Sequence, residues 1–235
     1  MRRFYKIATA CEAAEAQGVF AVLLDGKPVK TPARRALILP CRALADAIAE
    51  EWQRQGEEIR PQEMPLMALA CSALDLIPER RAQEIGELAA FGETELLCYR
   101  AEHPADLVER QTAAWQPLLD WAARHLDAPL QTVAGIRTQP QPETSLAALR
   151  RAIESHDDLQ LAALSLAVRS SGSLVIGLAL SQIALTPEEA FEAAELDSSY
   201  QLESWGEDAE AEKRRDGVRQ DLDAAARLFA LRAAS

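Results

Sequence analysis

The spacing of apolar residues changes once, near residue 40, and that single change limits the fold more than any other feature. Before it, apolar residues come in short runs: Phe4 to Thr9, Val19 to Leu24 and Ala36 to Leu39. Runs of this length bounded by glycine and proline read as strands. Asp25-Gly26 closes the second run, and glycine tolerates the positive φ that a tight hairpin turn demands. Lys27-Pro28-Val29-Lys30-Thr31-Pro32 then returns, its prolines suiting an edge or an irregular end. Two lysines on such an edge also discourage edge-to-edge aggregation.

After Pro40 the period is helical. Leu44, Ala45, Ile48 and Trp52 share one face of a helix over about residues 42–55, with Gly56 as its stop and Asp46, Glu50, Glu51 and Arg54 on the polar side. Pro61 and Pro65 mark a connector. Helices are expected at 66–76 and 79–91, with 96–100 either helical or extended. A long helix follows at 104–125, which Pro117 should kink or divide. Thr144 or Ser145 should cap a helix through Ile153, and two buried helices, 159–168 and 173–185, meet at Gly172. Thr186-Pro187-Glu188-Glu189 is a capping box that opens a helix to about residue 204. A last helix covers about 209–231. The expected class is α+β: a small N-terminal sheet-plus-helix domain, residues 1–62, then a larger all-helical C-terminal domain, residues 63–235.

The formal charge of -12 argues against nucleic acid, whose binders need a basic face to displace counterions, and against an anionic membrane surface. Cys11, Cys41, Cys71 and Cys98 form no Cys-x-x-Cys pair and read as reduced, mostly buried thiols of a reducing compartment. The longest apolar stretch, residues 174–185, is too short to span a bilayer, so no membrane insertion is expected.

The chain contains no Walker-type or dinucleotide glycine loop, no nucleophile elbow and no His-Glu-x-x-His. His103, His125 and His156 lack ligand spacing and read as surface or helix-end residues. Ser170-Ser171-Gly172-Ser173 reads as a capping turn with no evident general base. No cofactor and no metal are expected.

Three stretches carry more chemistry than a plain helical domain needs. The Asp25-Gly26 hairpin is one. In the second, Trp115, Leu118 and Trp121 gather on one helical face, a core pattern more than a surface one. The third, residues 186–212, holds ten acidic residues and no lysine or arginine, yet keeps Phe191, Leu196, Tyr200, Leu202 and Trp205. An amphipathic helix and a partner surface both stay open for it.

These stretches resemble, in order and over almost the whole chain, the assembly chaperones of the alpha subunit of F1-ATPase, the catalytic head of ATP synthase. The resemblance runs through Arg3-Phe4-Tyr5-Lys6, Asp25-Gly26-Lys27-Pro28-Val29-Lys30-Thr31-Pro32, Glu50-Glu51-Trp52, Met64-Pro65-Leu66 and Asp75. It continues through Glu93-Thr94-Glu95-Leu96-Leu97-Cys98-Tyr99-Arg100, Trp115 with Pro117 to Trp121, and Gly172-Ser173-Leu174, and closes on Gln201, Trp205-Gly206, Asp208 and Glu210-Ala211. Glu95 and Gln116 depart from it, standing where aspartate is expected, as do Met67 and Ser72, where threonine is commoner.

The resemblance implies a protein that is not an enzyme. It would bind newly made alpha subunit and prevent its aggregation until the beta subunit takes its place. It implies a partner site of Glu210, then Asp208, Trp205 and Gln201, and a monomer when free is expected. A start so close to Met1 suits a bacterial cytoplasmic protein, or a processed form in the mitochondrial matrix. Two other classes compete: a small-molecule enzyme using carboxylates, which needs an enclosed pocket of acids with perturbed pKa, and a helical scaffold without a client.

Overall fold

The computed structural model describes residues 1–13, 17–135, 139–205 and 209–234, with the side chains of Ser204 and Trp205 outside that description. Four short strands come first: β1 (Ala8–Glu12), β2 (Phe20–Leu24), β3 (Lys27–Pro28) and β4 (Ile38–Leu39). All pair antiparallel with β2. β1 runs along its whole length, from Ala8↔Leu24 to Glu12↔Phe20, while β3 and β4 share its other edge. Asp25 and Gly26 turn the chain with φ of 48° and 79°, the two positive values that a two-residue type I′ hairpin requires.

The first strand begins later than the apolar run suggests, at Ala8 rather than Phe4. Side chains replace the sheet partner there. The amides of Lys6 and Ile7 donate to the Asp25 carboxylate at 3.1 and 2.9 Å, and the carbonyls of Tyr5 and Lys6 accept from the Arg3 guanidinium at 3.1 and 3.0 Å.

The helices follow: α1 (Arg42–Arg54), α2 (Pro65–Asp75) and α3 (Ile77–Glu93), then strand β5 (Tyr99–Arg100), α4 (Ala105–His125), strand β6 (Val133–Ala134), α5 (Glu143–Glu154), α6 (Asp158–Ser171), α7 (Leu174–Ser181), α8 (Pro187–Ala194), α9 (Leu196–Trp205) and α10 (Ala209–Ala233). A small sheet region followed by a mostly helical remainder is the α+β arrangement expected of the sequence.

Four local expectations are corrected. Pro117 does not divide α4, because Trp115, Leu118, Leu119 and Ala122 are buried around it and packing outweighs one lost backbone bond. Neither Thr144 nor Ser145 caps α5. Pro142 holds that position, and Ser145 is buried with its hydroxyl donated to the Pro129 carbonyl at 2.6 Å. The helix that starts at Thr186 ends at Ala194, where the next residue, Glu195, is buried. Glu51, counted on the polar side of α1, is buried too, at 5% exposure.

The chain divides into two compact units, each assembled from separate pieces: Met1–Arg81 with Asp158–Ala163 and Arg227–Ser235, and Ala82–Asp157 with Leu164–Ala226. In the first, Val22, Leu39, Leu44, Ala45, Ile48 and Leu66 are fully buried, which places α1 over the sheet. Thr31 donates its hydroxyl to Asp75 at 2.7 Å and so ties the end of the hairpin to α2.

The second unit centres on α7. Every residue from Leu174 to Leu180 is buried, the mark of a helix apolar all round. Gly177 lets α6 approach: a Cβ there would meet Val168 at 2.5 Å. Cys41 and Cys98 are buried, Cys11 and Cys71 half-buried, and all four are free thiols. Burial pushes the Cys98 thiol up to about 12 and that of Cys71 to about 11. Among the described residues no helix is long and apolar enough to cross a membrane.

Candidate functional site

The acidic stretch starts as its sequence dictates. Thr186 accepts from the amide of Glu189, whose carboxylate accepts in return from the Thr186 amide at 2.8 Å, completing the capping box of α8. Beyond that point its charge is not left to solvent. Glu195, 5% exposed, takes both arms of Arg214 at 2.8 and 2.5 Å, with Arg215 at 3.5 Å. Arg219 pairs with Glu188 and lies 4.0 Å over the Phe191 ring, with Arg215 5.1 Å over the same ring.

From the other side, α4 supplies Arg110, whose guanidinium pairs with Glu203 at 2.8 Å and stacks 5.2 Å over Tyr200. The Tyr200 hydroxyl donates to Asp106 at 2.9 Å, and the Gln111 amide donates to Asp197 at 2.8 Å. The local absence of basic residues is therefore offset by arginines that arrive from α4 and α10.

Trp115 explains the aromatic face of α4. It is 1% exposed, its indole N–H donates to the Ala193 carbonyl at 2.9 Å, and Arg100 sits 5.2 Å over the ring. Trp115 and Leu118 are core, as their spacing suggests, while Trp121 is only half-buried and stacks on His125. Between α4, α8 and α9 the structure leaves an open groove of about 840 Å³. Ala113, Ala114, Pro117, Leu118 and Leu196 line it together with Glu188, Glu192, Glu203 and Arg110.

Of the four residues expected at a partner site, Gln201 is exposed on α9 and Glu210 is exposed in the first turn of α10. A carboxylate in a first turn also favours the helix by complementing its dipole. Trp205 ends α9, its side chain outside the description, and Asp208 lies outside the described residues.

Sequence reading missed one polar centre, which involves the Ser170-Ser171-Gly172-Ser173 turn. Ser173 caps α7, accepting from the Ile176 amide at 3.0 Å as a capping turn should, but its own hydroxyl donates to Glu95. Glu95 is wholly buried and also accepts from the amides of Leu174, Val175 and Leu97 at 2.9, 3.2 and 3.3 Å. Burial pushes its carboxyl up to about 7, against the pull of those donors. Every oxygen faces a backbone or hydroxyl donor, so this is a buried cap and not a cleft open to substrate.

His103 and His125 are exposed, as expected. His156 is at a helix end but buried, bonded to the Ala152 carbonyl and the Ser181 hydroxyl at 2.9 and 3.0 Å. Among the described residues no group of three or more His, Cys, Asp or Glu could hold a metal ion.

Residues 2–123 match the family model described as "ATP12 chaperone protein". The mitochondrial protein atp12 of Schizosaccharomyces pombe is 27% identical over 218 residues, which is 87% of this chain and 74% of that one. The crystal structure of Atp12 from Paracoccus denitrificans matches with a TM-score of 0.92 at 38% identity, covering 98% of this chain and 97% of that one. A structure from Agrobacterium tumefaciens matches with a TM-score of 0.91 at 40% identity, covering all of this chain and 86% of the other.

Proposed function

This chain belongs to the ATP12 chaperone family, and from that premise we propose that it binds the unassembled alpha subunit of the F1 head of ATP synthase and shields it until the beta subunit takes its place. The reading makes it a binder by shape and charge, with no bond made or broken. An orphan subunit exposes an apolar interface, and a protein that covers this interface reversibly keeps it from aggregating. Release follows when the alpha–beta contact is the stronger of the two, a difference of affinities. The chain acts as a monomer, in the bacterial cytoplasm or the mitochondrial matrix.

The partner site assigned to it is Glu210 with Asp208, Trp205 and Gln201. One observation carries the choice of Glu210: it is exposed in the first turn of α10. Glu188, Glu195, Asp197 and Glu203 pair with Arg219, Arg214, Gln111 and Arg110. The acids tied to those partners shape the unit, and Glu210 stands at its surface. The apolar residues lining the groove offer contact area to a client segment.

The test is capture of co-expressed alpha subunit by tagged chaperone, with Glu210→Lys beside wild type. The variant is expected to fold, because a first-turn reversal costs a helix only about 0.3–1 kcal/mol, and to lose at least about tenfold in capture. Equal capture by the variant overturns the site. A wild-type chain that captures no alpha subunit overturns the client.

A further inference from the structure

The acidic balance of the chain hides a basic island. Its first forty residues hold seven basic and three acidic side chains, although the whole chain carries -12, and three of its four lysines lie there. In the first compact unit this island borders a pocket of about 290 Å³, lined among others by Phe4, Tyr5, Pro28 and Trp52, with Lys27 and Lys30 at its edge. The volume suits one or two side chains.

Two features at or beside the pocket lack a partner among the described residues. The first is charge. Asp25 is the single carboxylate of the lining, and both its oxygens are committed to the amides of Lys6 and Ile7, which hold its carboxyl below the usual range. Lys27 and Lys30 are exposed, and among the described residues neither ammonium has a hydrogen-bond or ion-pair partner. The second is a donor. The Trp52 indole N–H is buried and, among the described residues, bonded to nothing. Buried donors of this kind are uncommon in folded proteins and call for an explanation.

The aromatic wall is held together by its own contacts. Phe4 meets Tyr5 edge-on at 5.4 Å, Tyr5 meets Trp52 edge-on at 5.6 Å, and the Tyr5 hydroxyl donates to the Trp52 carbonyl at 2.6 Å. Its outer end is open: Phe4 is 66% exposed, and Ile7 beside it is 61% exposed. Lysines on a sheet edge discourage aggregation, which accounts for the charge. It accounts for neither the open aromatic wall nor the unbonded indole.

We propose that this pocket docks a short acidic segment of a partner polypeptide, one that sets an apolar side chain against Phe4 and Trp52 and places carboxylates on Lys27 and Lys30. Charge complementarity selects this occupant. A basic segment is repelled locally, and a long polyanion is repelled by the rest of the chain. The site is opposite in sign to the acidic partner site on α9 and α10, so it recognises a different part of a client or a different partner, and it does not depend on which subunit the client is.

The test is a titration of the full-length 15N-labelled protein, following the Trp52 indole N–H resonance. Three synthetic peptides serve as probes: one alternating glutamate with phenylalanine and leucine, an oligoglutamate of equal charge, and the first peptide with lysine in place of glutamate. The alternating acidic peptide is expected to shift the indole resonance and to bind at least about tenfold more tightly than either control. Lys27→Gln with Lys30→Gln should weaken it at least about tenfold, with the spectrum otherwise unchanged, and Phe4→Ala should weaken it separately without touching either lysine. Equal binding of oligoglutamate, which would mark a bare polyanion site, overturns the proposal. So does the absence of any indole shift. Neither result bears on alpha-subunit capture, which the Glu210→Lys experiment reads independently.

Discussion

Glu51 and Glu95 perform the same task in the two compact units, but in different company. Glu51, on α1, accepts from the amides of Leu66 and Met67 at 2.8 and 2.9 Å and so caps α2 from a neighbouring helix. Glu95 accepts from Leu174 and Val175 and so caps α7. In both places the first turn of a helix has donors that no residue of its own can satisfy, and a carboxylate from elsewhere satisfies them. Burial lifts both carboxyls. The charges of Arg227 and Arg54 help pull Glu51 back, whereas Glu95 has only neutral donors, and its carboxyl sits near 7. Cations nearby oppose the rise that burial causes, and a carboxyl held by hydroxyl and amides alone, as Glu95 is, titrates near 7.

The largest test of this comparison is removal of each side chain. Glu95→Ala strips the partners from three amides and a hydroxyl and should cost on the order of 3–5 kcal/mol in denaturant unfolding. Glu51→Ala orphans two amides and should cost about 2–3 kcal/mol. A larger loss at Glu51 would break the ranking.

Next in size is a pH effect. A carboxyl raised from 4.5 to about 7 on folding binds its proton more tightly in the native state. Its stabilising contribution is therefore full below about pH 4.5 and falls as pH rises toward 7, then levels off. The difference between wild type and Glu95→Gln should shrink by up to about 3 kcal/mol over that window, in unfolding curves at matched ionic strength. A difference that does not change with pH would mean that Glu95 stays charged. The smallest effect belongs to Arg227→Ala. Arg227 is 43% exposed, so its loss should cost under about 1 kcal/mol, while the Glu51 carboxyl moves further up in an NMR titration. No movement there would leave the neighbouring cations with no part in the difference.

Much of the architecture was legible in the residues because its causes are local. Asp25-Gly26 carries the positive φ of its own turn, Thr186 and Glu189 satisfy each other, and residues 174–180 are apolar on every face. The errors lie where a local signal met a distant partner. Glu51 looked polar because α1 alone cannot show that α2 begins against it. The stretch 186–212 looked uniformly acidic because Arg110 lies far upstream and Arg214, Arg215 and Arg219 follow on the next helix. Of the candidate site, Gln201 and Glu210 could be placed on exposed helix positions, and no signal in their spacing foretold the groove beside α4.

What the amino-acid order determined by itself was the kind of each segment, the family and the overall balance of charge, since propensity, capping and composition need no tertiary partner. What only the folded chain decided was the state of each charge. Glu95 meets Leu174 79 residues away, and whether a carboxylate is a solvated surface group, a paired one or a half-protonated cap depends on which dipoles and cations the fold brings to it.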